Sequence, residues 1–530
     1  MPSERINSAA AFPVTFRRGR HAGLTGNQVV RSFFGGNAIV SVVVLGLITL
    51  FLFREGHEFF GQNRRNLEIY RAAGLEFVDI LKRQEEGFGA LNRALFEVRL
   101  VAGRETEPGR SMAATTELEA FDAYASEFGD AAGPLREILG ELVETASAIK
   151  TKLVMNEDRL AERQHLLATD RQSEAAAIRI ESIDIEAELR PLLESRARHS
   201  AISGSLAKSL VELSDRMPSM SASELQVLLE EFGEQLRDYV ASFPRIEREL
   251  AEWRHDREVS MPSAITAFLF GREWLTASFW QDWYGVLPLV TGSFLISLIA
   301  LALAVPLGVG AAVYVNQIAR RSERSVIKPC IEFISAIPSV VLGFFGIAVL
   351  GEALRKVSHI AWLEWIPGFP IAERLNALTA GCLLGLIAVP IIFSLAEDAL
   401  QNVPKAFKEA SLALGASRLQ TVFRIILPAG ISGIISAVLL GLGRVIGETM
   451  VVLLCAGNRI AIPDFSAGPG VMTQPVHTMT GIIAQEMGEV VQGGIHYRAL
   501  FAVGILLFCL SLMINFAAQR ILGRYRLLSS

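Results

Sequence analysis

Six long apolar stretches constrain the fold of this chain more than any other feature of its sequence. Crossing a hydrocarbon layer of about 30 Å takes roughly 20 residues of α-helix. Stretches of at least that length lie at residues 33–53, 285–315, 331–350, 375–395, 427–456 and 499–518. The second and fifth are longer than needed, so we expect them to tilt or to project beyond the bilayer. The sequence therefore predicts an all-α polytopic membrane protein with six transmembrane helices.

Basic residues in the short loops predict the orientation of these helices, because positive charge resists translocation. With both termini in the cytoplasm, the cytoplasmic side carries 16 arginines and lysines and the two short outer loops carry five. The 16 are Arg5, Arg17, Arg18, Arg20, Arg31, Arg320, Arg321, Arg324, Lys328, Lys405, Lys408, Arg418, Arg424, Arg520, Arg524 and Arg526. We expect the chain to lie in the inner membrane of a bacterium, with residues 54–283 in the periplasm.

The first apolar stretch could be a cleaved signal peptide, but its apolar run is too long and no small-residue cleavage pattern follows Phe53. We therefore expect a retained anchor. The predicted division of the chain is a cytoplasmic segment at 1–32, the anchor at 33–53, an acidic helical domain at 54–283, a transmembrane domain at 284–518 and a cytoplasmic tail at 519–530. Within the transmembrane domain, a cytoplasmic loop is expected at 397–426.

The segment between the first two apolar stretches, residues 54–283, is acidic. It holds 42 of the 55 acidic residues but only 28 of the 50 basic ones, a net charge of −14. Between Pro134 and Pro191 it has no proline and a single glycine, Gly140, which favours long helices. A surplus of negative charge makes this segment a poor trap for an anion.

An apolar seam of the coiled-coil kind follows Pro134, with steps that alternate between four and three residues. Its members are Leu135, Leu139, Leu142, Ala146, Ile149, Leu153, Asn156 and Leu160. The seam fits a docking surface or a sensor bundle, but the usual meaning of such a stripe is a solvated helical bundle with an ordinary apolar face, which we favour. Asn156 could fix the register of the helices or the oligomeric state, or its amide could be satisfied locally.

The loop between the fourth and fifth stretches resembles the EAA motif of ABC importer permeases, E-A-A-x3-G-x9-I-x-L-P. The chain has Glu409-Ala410-Ser411, then Gly415, Ile425, Leu427 and Pro428 at the same spacing, with Ser411 as the one departure. Gly415 suits a left-handed or a close-packing position at the end of a short helix, and Pro428 suits the first turn of the next one. The resemblance implies a coupling helix that docks on a separate ATP-hydrolysing subunit.

The chain is not expected to be an enzyme or to hold a cofactor of its own. No lysine follows a glycine, so the phosphate-binding loop G-x-x-x-x-G-K-[ST] is absent, and ATP would be used by the partner subunit. The cysteines, Cys330, Cys382, Cys455 and Cys509, show no metal-ligand or disulfide spacing.

Two charges interrupt the fifth apolar stretch, where Arg444 and Glu448 are four residues apart and would share a helical face. A charge at the bilayer centre costs roughly 2.5–3.5 kcal/mol, so both should face the protein interior or a water-filled path. The guanidinium suits an oxyanion. A purely structural ion pair is the alternative, and Gly441, Gly443 and Gly447 allow close helix packing in either case.

Residues 443–449, Gly-Arg-Val-Ile-Gly-Glu-Thr, are similar to the G-R-x-x-G-E-T signature of phosphate permeases of the PstC type. The resemblance implies the ABC importer type I permease fold with a large helical periplasmic insertion. It also implies Arg444, Glu448 and Thr449 in the substrate pathway. The partners it implies are a PstA-like permease, an ATPase dimer and a periplasmic phosphate-binding protein. The alternatives are another oxyanion as substrate, the sister PstA-type subunit, and a membrane sensor with a helical periplasmic domain.

Overall fold

The computed structural model describes residues 26–105, 112–218, 223–276, 278–363, 365–366 and 368–526. The chain divides into two compact units, residues 1–54 and residues 55–530. The predicted N-terminal segment up to residue 25, with Arg5, Arg17, Arg18 and Arg20, lies outside the described residues, and so do tail residues 527–530.

Helices occupy most of the first half of the chain. They are α1 (Gly26–Ala72), α2 (Leu75–Glu105), α3 (Met112–Asp130), α4 (Gly133–Ala168), α5 (Gln172–Ala177), α6 (Ile185–Asp215), α7 (Ser223–Glu252) and α8 (Met261–Phe270). The first helix does not end at residue 53 but continues to Ala72, and Gly74, which follows it, has a φ of +77°. Two short antiparallel strands follow, β1 (Trp274–Leu275) and β2 (Trp283–Tyr284).

The second half of the chain is also helical. Its helices are α9 (Leu287–Val313), α10 (Arg321–Ile334), α11 (Ser339–Phe345), α12 (Gly351–Ser358), α13 (Ala377–Gln401), α14 (Lys405–Ala413), α15 (Arg418–Thr421), α16 (Leu427–Ile446), α17 (Met450–Cys455), α18 (Met479–Glu486) and α19 (Ile495–Arg526). Single π-helical turns continue α9, join α11 to α12 and join α15 to α16, at Tyr314–Ile318, Gly346–Leu350 and Val422–Ile426.

Within the described residues, five helices are long and apolar enough to cross a membrane, or six if one bent pair counts as a single span. The expected all-α polytopic membrane protein is confirmed. Two of the predicted spans were wrong in detail. The third, expected as one helix over 331–350, is a pair of helices bent by 87° between Ile334 and Ser339. Pro338 explains the break, because a proline disfavours helical geometry in the residue before it.

The fifth predicted span, 427–456, is also interrupted. Helix α16 ends at Ile446 with Gly447 as its C-cap, and α17 begins only at Met450. Glycine has the lowest helix propensity apart from proline, which makes Gly447 a suitable stop. The two charges singled out above therefore flank a helix end.

Helix α13 is at the centre of the apolar helices and packs against α9 and α16. Gly381 and Gly385 permit the close approach to α9, since a Cβ on Gly381 would lie 2.5 Å from the Ile299 side chain and one on Gly385 would lie 3.0 Å from the Ala300 carbonyl. Most of α13 is buried.

The acidic segment forms a helical bundle with a core of its own, built by α2, α3, α4, α6 and α7 and called here the bundle. Large rings such as Phe77, Phe88 and Phe128 are fully buried in it. The predicted seam on α4 is buried or partly buried from Leu135 to Leu153 and then reaches the surface, where Leu160 is 41% exposed.

Asn156 of α4 is satisfied locally. Its Nδ2 donates to the Glu181 carbonyl at 2.6 Å, and its Oδ1 accepts from the Glu181 amide at 3.0 Å. The side chain therefore anchors the connection between α5 and α6 and leaves no amide for fixing the register of a second helix.

Candidate functional site

Arg444 lies in the last turn of α16, where the negative end of the helix dipole favours a cation. Its side chain is 57% exposed. It lines a cavity of about 280 Å³ whose other walls are residues 334–339 of the bent pair and Ile387 and Ile391 of α13. The guanidinium thus faces the break between α10 and α11 and not the packed interior of a helix bundle.

Glu448 is the nearest carboxylate to this guanidinium, with Oε2 3.6 Å from Nη2 of Arg444. The expectation that the two share a helical face was wrong, because α16 stops at Ile446 and Glu448 lies in the turn that follows. Its side chain is only 7% exposed. Its carbonyl accepts a hydrogen bond from Thr480 Oγ1 at 2.9 Å, which ties the turn to α18. Among the described residues, no other partner is found for the five donors of this guanidinium.

Thr449, the third residue predicted in the pathway, begins the next helix. It is the N-cap of α17, and its carbonyl accepts the amide of Leu453 at 3.0 Å. The structure thus places Arg444, Glu448 and Thr449 together around one helix break. A substrate role for them stays a prediction.

Backbone amides of the second half of the bent pair lie beside the same cavity. Ser339, which lines the cavity, is the first residue of α11, and the first-turn amides of a helix have no intrahelical acceptor. Helix N-termini attract anions for this reason and through the helix dipole. Together with Arg444, the break gives the cavity two sources of positive potential.

The loop with the EAA-like motif forms a protruding helical knob. Helix α14 carries Glu409 and Ala410, both exposed, and ends before Gly415, whose φ of +84° is the left-handed conformation expected for it. Leu414 at the tip is 89% exposed. The Leu414 side chain is therefore open to contact with a partner.

The remaining motif residues connect the knob to α16. Ile425 lies in the π-helical turn and is 37% exposed, and Leu427 and Pro428 open α16 with the proline in its first turn as expected. Ser411 Oγ lies 3.0 Å from Thr421 Oγ1, which binds α14 to α15. Arg444 is 16 residues further along α16 than Pro428, about 24 Å at a rise of about 1.5 Å per residue. The two predicted sites therefore occupy opposite ends of one helix.

A buried carboxylate that the sequence did not single out joins two helices near the knob. Glu397 of α13 is fully buried, and its oxygens accept from Arg324 Nη2 at 2.6 Å, Lys328 Nζ at 2.8 Å and Gln401 Nε2 at 2.8 Å. This cluster fixes α10 to the last turns of α13. Helix α13 ends at Gln401, and α14 begins at Lys405. The sequence signal was the charge at the edge of an apolar run; its partners, about 70 residues away, could not be read from the sequence.

Comparisons with known proteins place the similarity in the second half of the chain. The family described as "Binding-protein-dependent transport system inner membrane component" matches residues 304–526. The probable ABC transporter permease protein YqgH of Bacillus subtilis is 32% identical over 261 residues, covering 47% of this chain and 78% of that protein. The phosphate transport system permease protein PstC of Mesorhizobium japonicum is 31% identical over 268 residues, covering 48% of this chain and 79% of that protein.

Among solved structures, a chain of the methionine ABC transporter MetNI, in an inward-facing conformation, is similar to this one. The similar region covers 46% of this chain and 94% of the MetNI chain. The identity is 21% and the TM-score 0.32.

Proposed function

The chain belongs to the binding-protein-dependent transport system inner membrane components, as an ABC importer permease subunit, and from this premise we propose that it conducts inorganic phosphate. The proposal is supported by the likeness to permeases named for phosphate transport and by the charges around the break after α16. The cavity beside Arg444 is the single observation that carries it.

An oxyanion fits the chemistry of this cavity. Arg444 offers a planar fork of donors that matches two oxygens of a tetrahedral anion, and the positive end of the α11 dipole lies beside the same cavity. In transporters, half-helix N-termini at a helix break are a recurrent way to hold an anionic substrate. Glu448 then serves as the resting counter-ion, since a cation near the membrane interior requires one when no anion is bound.

The knob around α14 supplies the coupling in this proposal. An ATPase subunit docked on Glu409, Ala410 and Leu414 would push one end of α16, and the rigid helix would carry that displacement to Arg444 about 24 Å away. ATP would be bound and hydrolysed in that partner. We further propose a PstA-like permease as the second half of the pathway, an ATPase dimer, and a periplasmic phosphate-binding protein that delivers the anion.

The proposed setting is the bacterial inner membrane. Both termini and the α14 knob would be cytoplasmic, and residues 54–283 periplasmic, as the distribution of basic residues favours. Cysteine labelling from each side of the membrane, at positions in the knob and in the bundle, tests this orientation directly.

Arg444→Gln tests the proposed function. In proteoliposomes that contain the full complex, we expect phosphate uptake to fall by at least about tenfold, because the neutral amide loses a charge-assisted bond of roughly 1.5–3 kcal/mol. The ATPase and the second permease should still co-purify. Arg459→Gln, which removes an exposed arginine outside the cavity, is the matched control and should transport normally.

Wild-type uptake by Arg444→Gln would remove Arg444 from the mechanism. Radiolabelled sulfate and molybdate, supplied in parallel with phosphate, separate the substrate question from the question of mechanism. Transport of one of these in place of phosphate would retain the cavity as an oxyanion path and overturn phosphate as its substrate.

A further inference from the structure

A second and larger cleft, of about 660 Å³, lies outside the apolar helices. It is bordered by the end of α1, the start of α2, the end of α7 and the segment 273–283 that contains β1 and leads to α9. Four aromatic side chains line it: Tyr70, Trp253, Trp280 and Trp283. The proposed transport path does not use any of them.

The polar edges of three of these rings are already hydrogen-bonded to carboxylates. Tyr70 Oη donates to Asp79 Oδ2 at 2.5 Å, and Trp280 Nε1 donates to Asp79 Oδ1 at 2.8 Å. Trp253 Nε1 donates to Glu76 Oε2 at 3.1 Å. Trp283 packs edge-on against Tyr70, with ring centroids 5.1 Å apart. The rings are thus held in place by their polar atoms, and all four residues line the cleft.

Asp79 is a carboxylate without a cation. Both of its oxygens accept from neutral donors, and it forms no ion pair with any residue that the structure describes. Partial burial of the carboxyl raises the pKa of Asp79, against the hydrogen bonds from Tyr70 and Trp280 and the attraction of Lys82 and Arg83. A half-buried charge in such a place is stabilised by a cation that approaches closely.

Most cations around the cleft are unable to serve Asp79, because they are paired with other carboxylates. Arg71 binds Glu76 through Nε at 2.7 Å, and Arg83 binds Glu249 through Nη2 at 2.7 Å. At the rim, Arg254 is 2.6 Å from Asp256. Lys82 and Arg257 also line the cleft; Lys82 lies 3.9 Å from Glu86, and neither forms an ion pair with Asp79.

Gln281 adds a second unmet requirement in the same place. It is fully buried and lines the cleft, and its Oε1 has no hydrogen-bond donor among the described residues. A buried carbonyl oxygen without a donor costs roughly 1–3 kcal/mol. This oxygen has almost no accessible surface, so a ligand N–H group reaches it only when the Gln281 side chain turns toward the cleft.

We propose that this cleft binds a primary ammonium group, with Asp79 as its counter-ion and the faces of Trp280, Trp283 and Tyr70 as its walls. Aromatic faces attract ammonium groups by roughly 0.5–2 kcal/mol each, more when water is excluded. The group could belong to a free small amine or to the ethanolamine headgroup of a lipid. The bound ligand would bridge the bundle and the segment that leads into α9, a connection otherwise made by contacts such as Lys150 Nζ to the Trp280 carbonyl at 2.6 Å.

Ethanolamine is the probe for the full-length chain purified in an uncharged detergent, with tryptophan fluorescence and calorimetry as readouts. We expect saturable binding of ethanolamine and none of ethylene glycol, which has a similar size but no charge. Asp79→Asn should weaken binding at least about tenfold, since the amide keeps the shape but loses the charge. Asp130→Asn removes an exposed carboxylate of the bundle and should bind like the wild type.

Asp79→Glu keeps the charge and guards against a folding defect in Asp79→Asn. We expect Asp79→Glu to bind ethanolamine more tightly than Asp79→Asn does. The two variants should have the same thermal stability. Binding by the wild type weaker than a Kd of about 10 mM, or equal binding by Asp79→Asn and the wild type, would overturn the proposal.

Two lipid compositions identify the source of the ammonium group. In nanodiscs of phosphatidylethanolamine, a headgroup in the cleft would compete with free ethanolamine and weaken its apparent affinity relative to nanodiscs of phosphatidylglycerol. Equal affinity in both lipids would assign the cleft to a free amine. Neither measurement involves phosphate uptake, so the result is independent of the proposed function.

Discussion

Arg444 and Glu397 are charged residues of the apolar helices that differ in burial and in their partners. Glu397 is fully buried and has three donors within 2.8 Å, so it is committed to holding α10 against α13. Arg444 is more than half exposed, with one carboxylate at 3.6 Å. An ion pair of this length with an exposed member contributes little to stability. At the residue scale, burial and partner distance thus separate a structural charge from one available to a ligand.

His199 is the buried titratable group on which the acid stability of the bundle is expected to depend. Its Nε2 lies 2.8 Å from Gln84 Oε1 and 3.1 Å from Ser203 Oγ. Burial lowers the pKa of His199 below its ordinary value of 6.5, with Glu247 opposing the shift. The folded chain therefore binds fewer protons than the unfolded chain below that pH.

We predict that the bundle loses stability as the pH falls below about 6.5, since unfolding lets His199 take up a proton. The loss should be absent above that pH, where both states hold the ring neutral. Thermal unfolding of the wild type and of His199→Gln, from pH 8 to pH 5, measures it. The variant should show the flatter dependence, and His165→Gln, an exposed histidine of α4, should follow the wild type. Parallel curves for wild type and His199→Gln would contradict the prediction.

At the scale of elements, the breaks in two helices matter more than the helices themselves. The bend between α10 and α11 and the stop between α16 and α17 bring residues 334–339 and Arg444 to one cavity. A continuous helix at either place would satisfy its own amides and carbonyls and offer nothing to a ligand. Each break follows from local chemistry, Pro338 in the first and Gly447 in the second.

The α14 knob is expected to lose its partner when its tip becomes charged. Leu414→Asp should abolish co-purification of the ATPase subunit, because a carboxylate that leaves water for an apolar contact is strongly penalised. The chain itself should remain folded, since Leu414 is 89% exposed. Val491→Asp, at an apolar residue that is 81% exposed outside the knob, is the control. Normal recovery of the ATPase with Leu414→Asp would exclude the tip of the knob from the interface.

At the scale of the whole molecule, the bundle has a hydrophobic core separate from the cores of the apolar helices. Aromatic rings dominate it, including a stacked pair, Phe88 and Phe128, with centroids 5.0 Å apart. An aromatic core of this kind can support an independent fold. The family match begins at residue 304, beyond the bundle.

We predict that a fragment comprising residues 64–284 folds without the apolar helices, because the core of the bundle lies within it. Circular dichroism should show a helical spectrum and a cooperative thermal transition. Phe77→Ala, which empties a fully buried position, should lower the stability of the fragment by about 3–5 kcal/mol. Phe96→Ala, at a side chain that is 56% exposed, should have little effect. A fragment without a cooperative transition would show that the bundle depends on the rest of the chain.

The apolar stretches and the EAA-like spacing were sufficient to predict the helical class, the approximate spans and the family. Apolar length and loop charge depend only on local composition, which the sequence states directly. The left-handed Gly415 and the first-turn Pro428 were predicted for the same reason, since backbone preference is a property of the residue itself.

Only the tertiary structure decided which distant residues meet. The cavity requires the break at Pro338 to lie beside the end of α16, and the pairing of Glu397 with Arg324 and Lys328 joins residues about 70 positions apart. The cleft around Asp79 likewise combines residues from α1, α2, α7 and the segment before α9. Such contacts depend on how helices pack against one another, and a pattern along one chain does not contain that information.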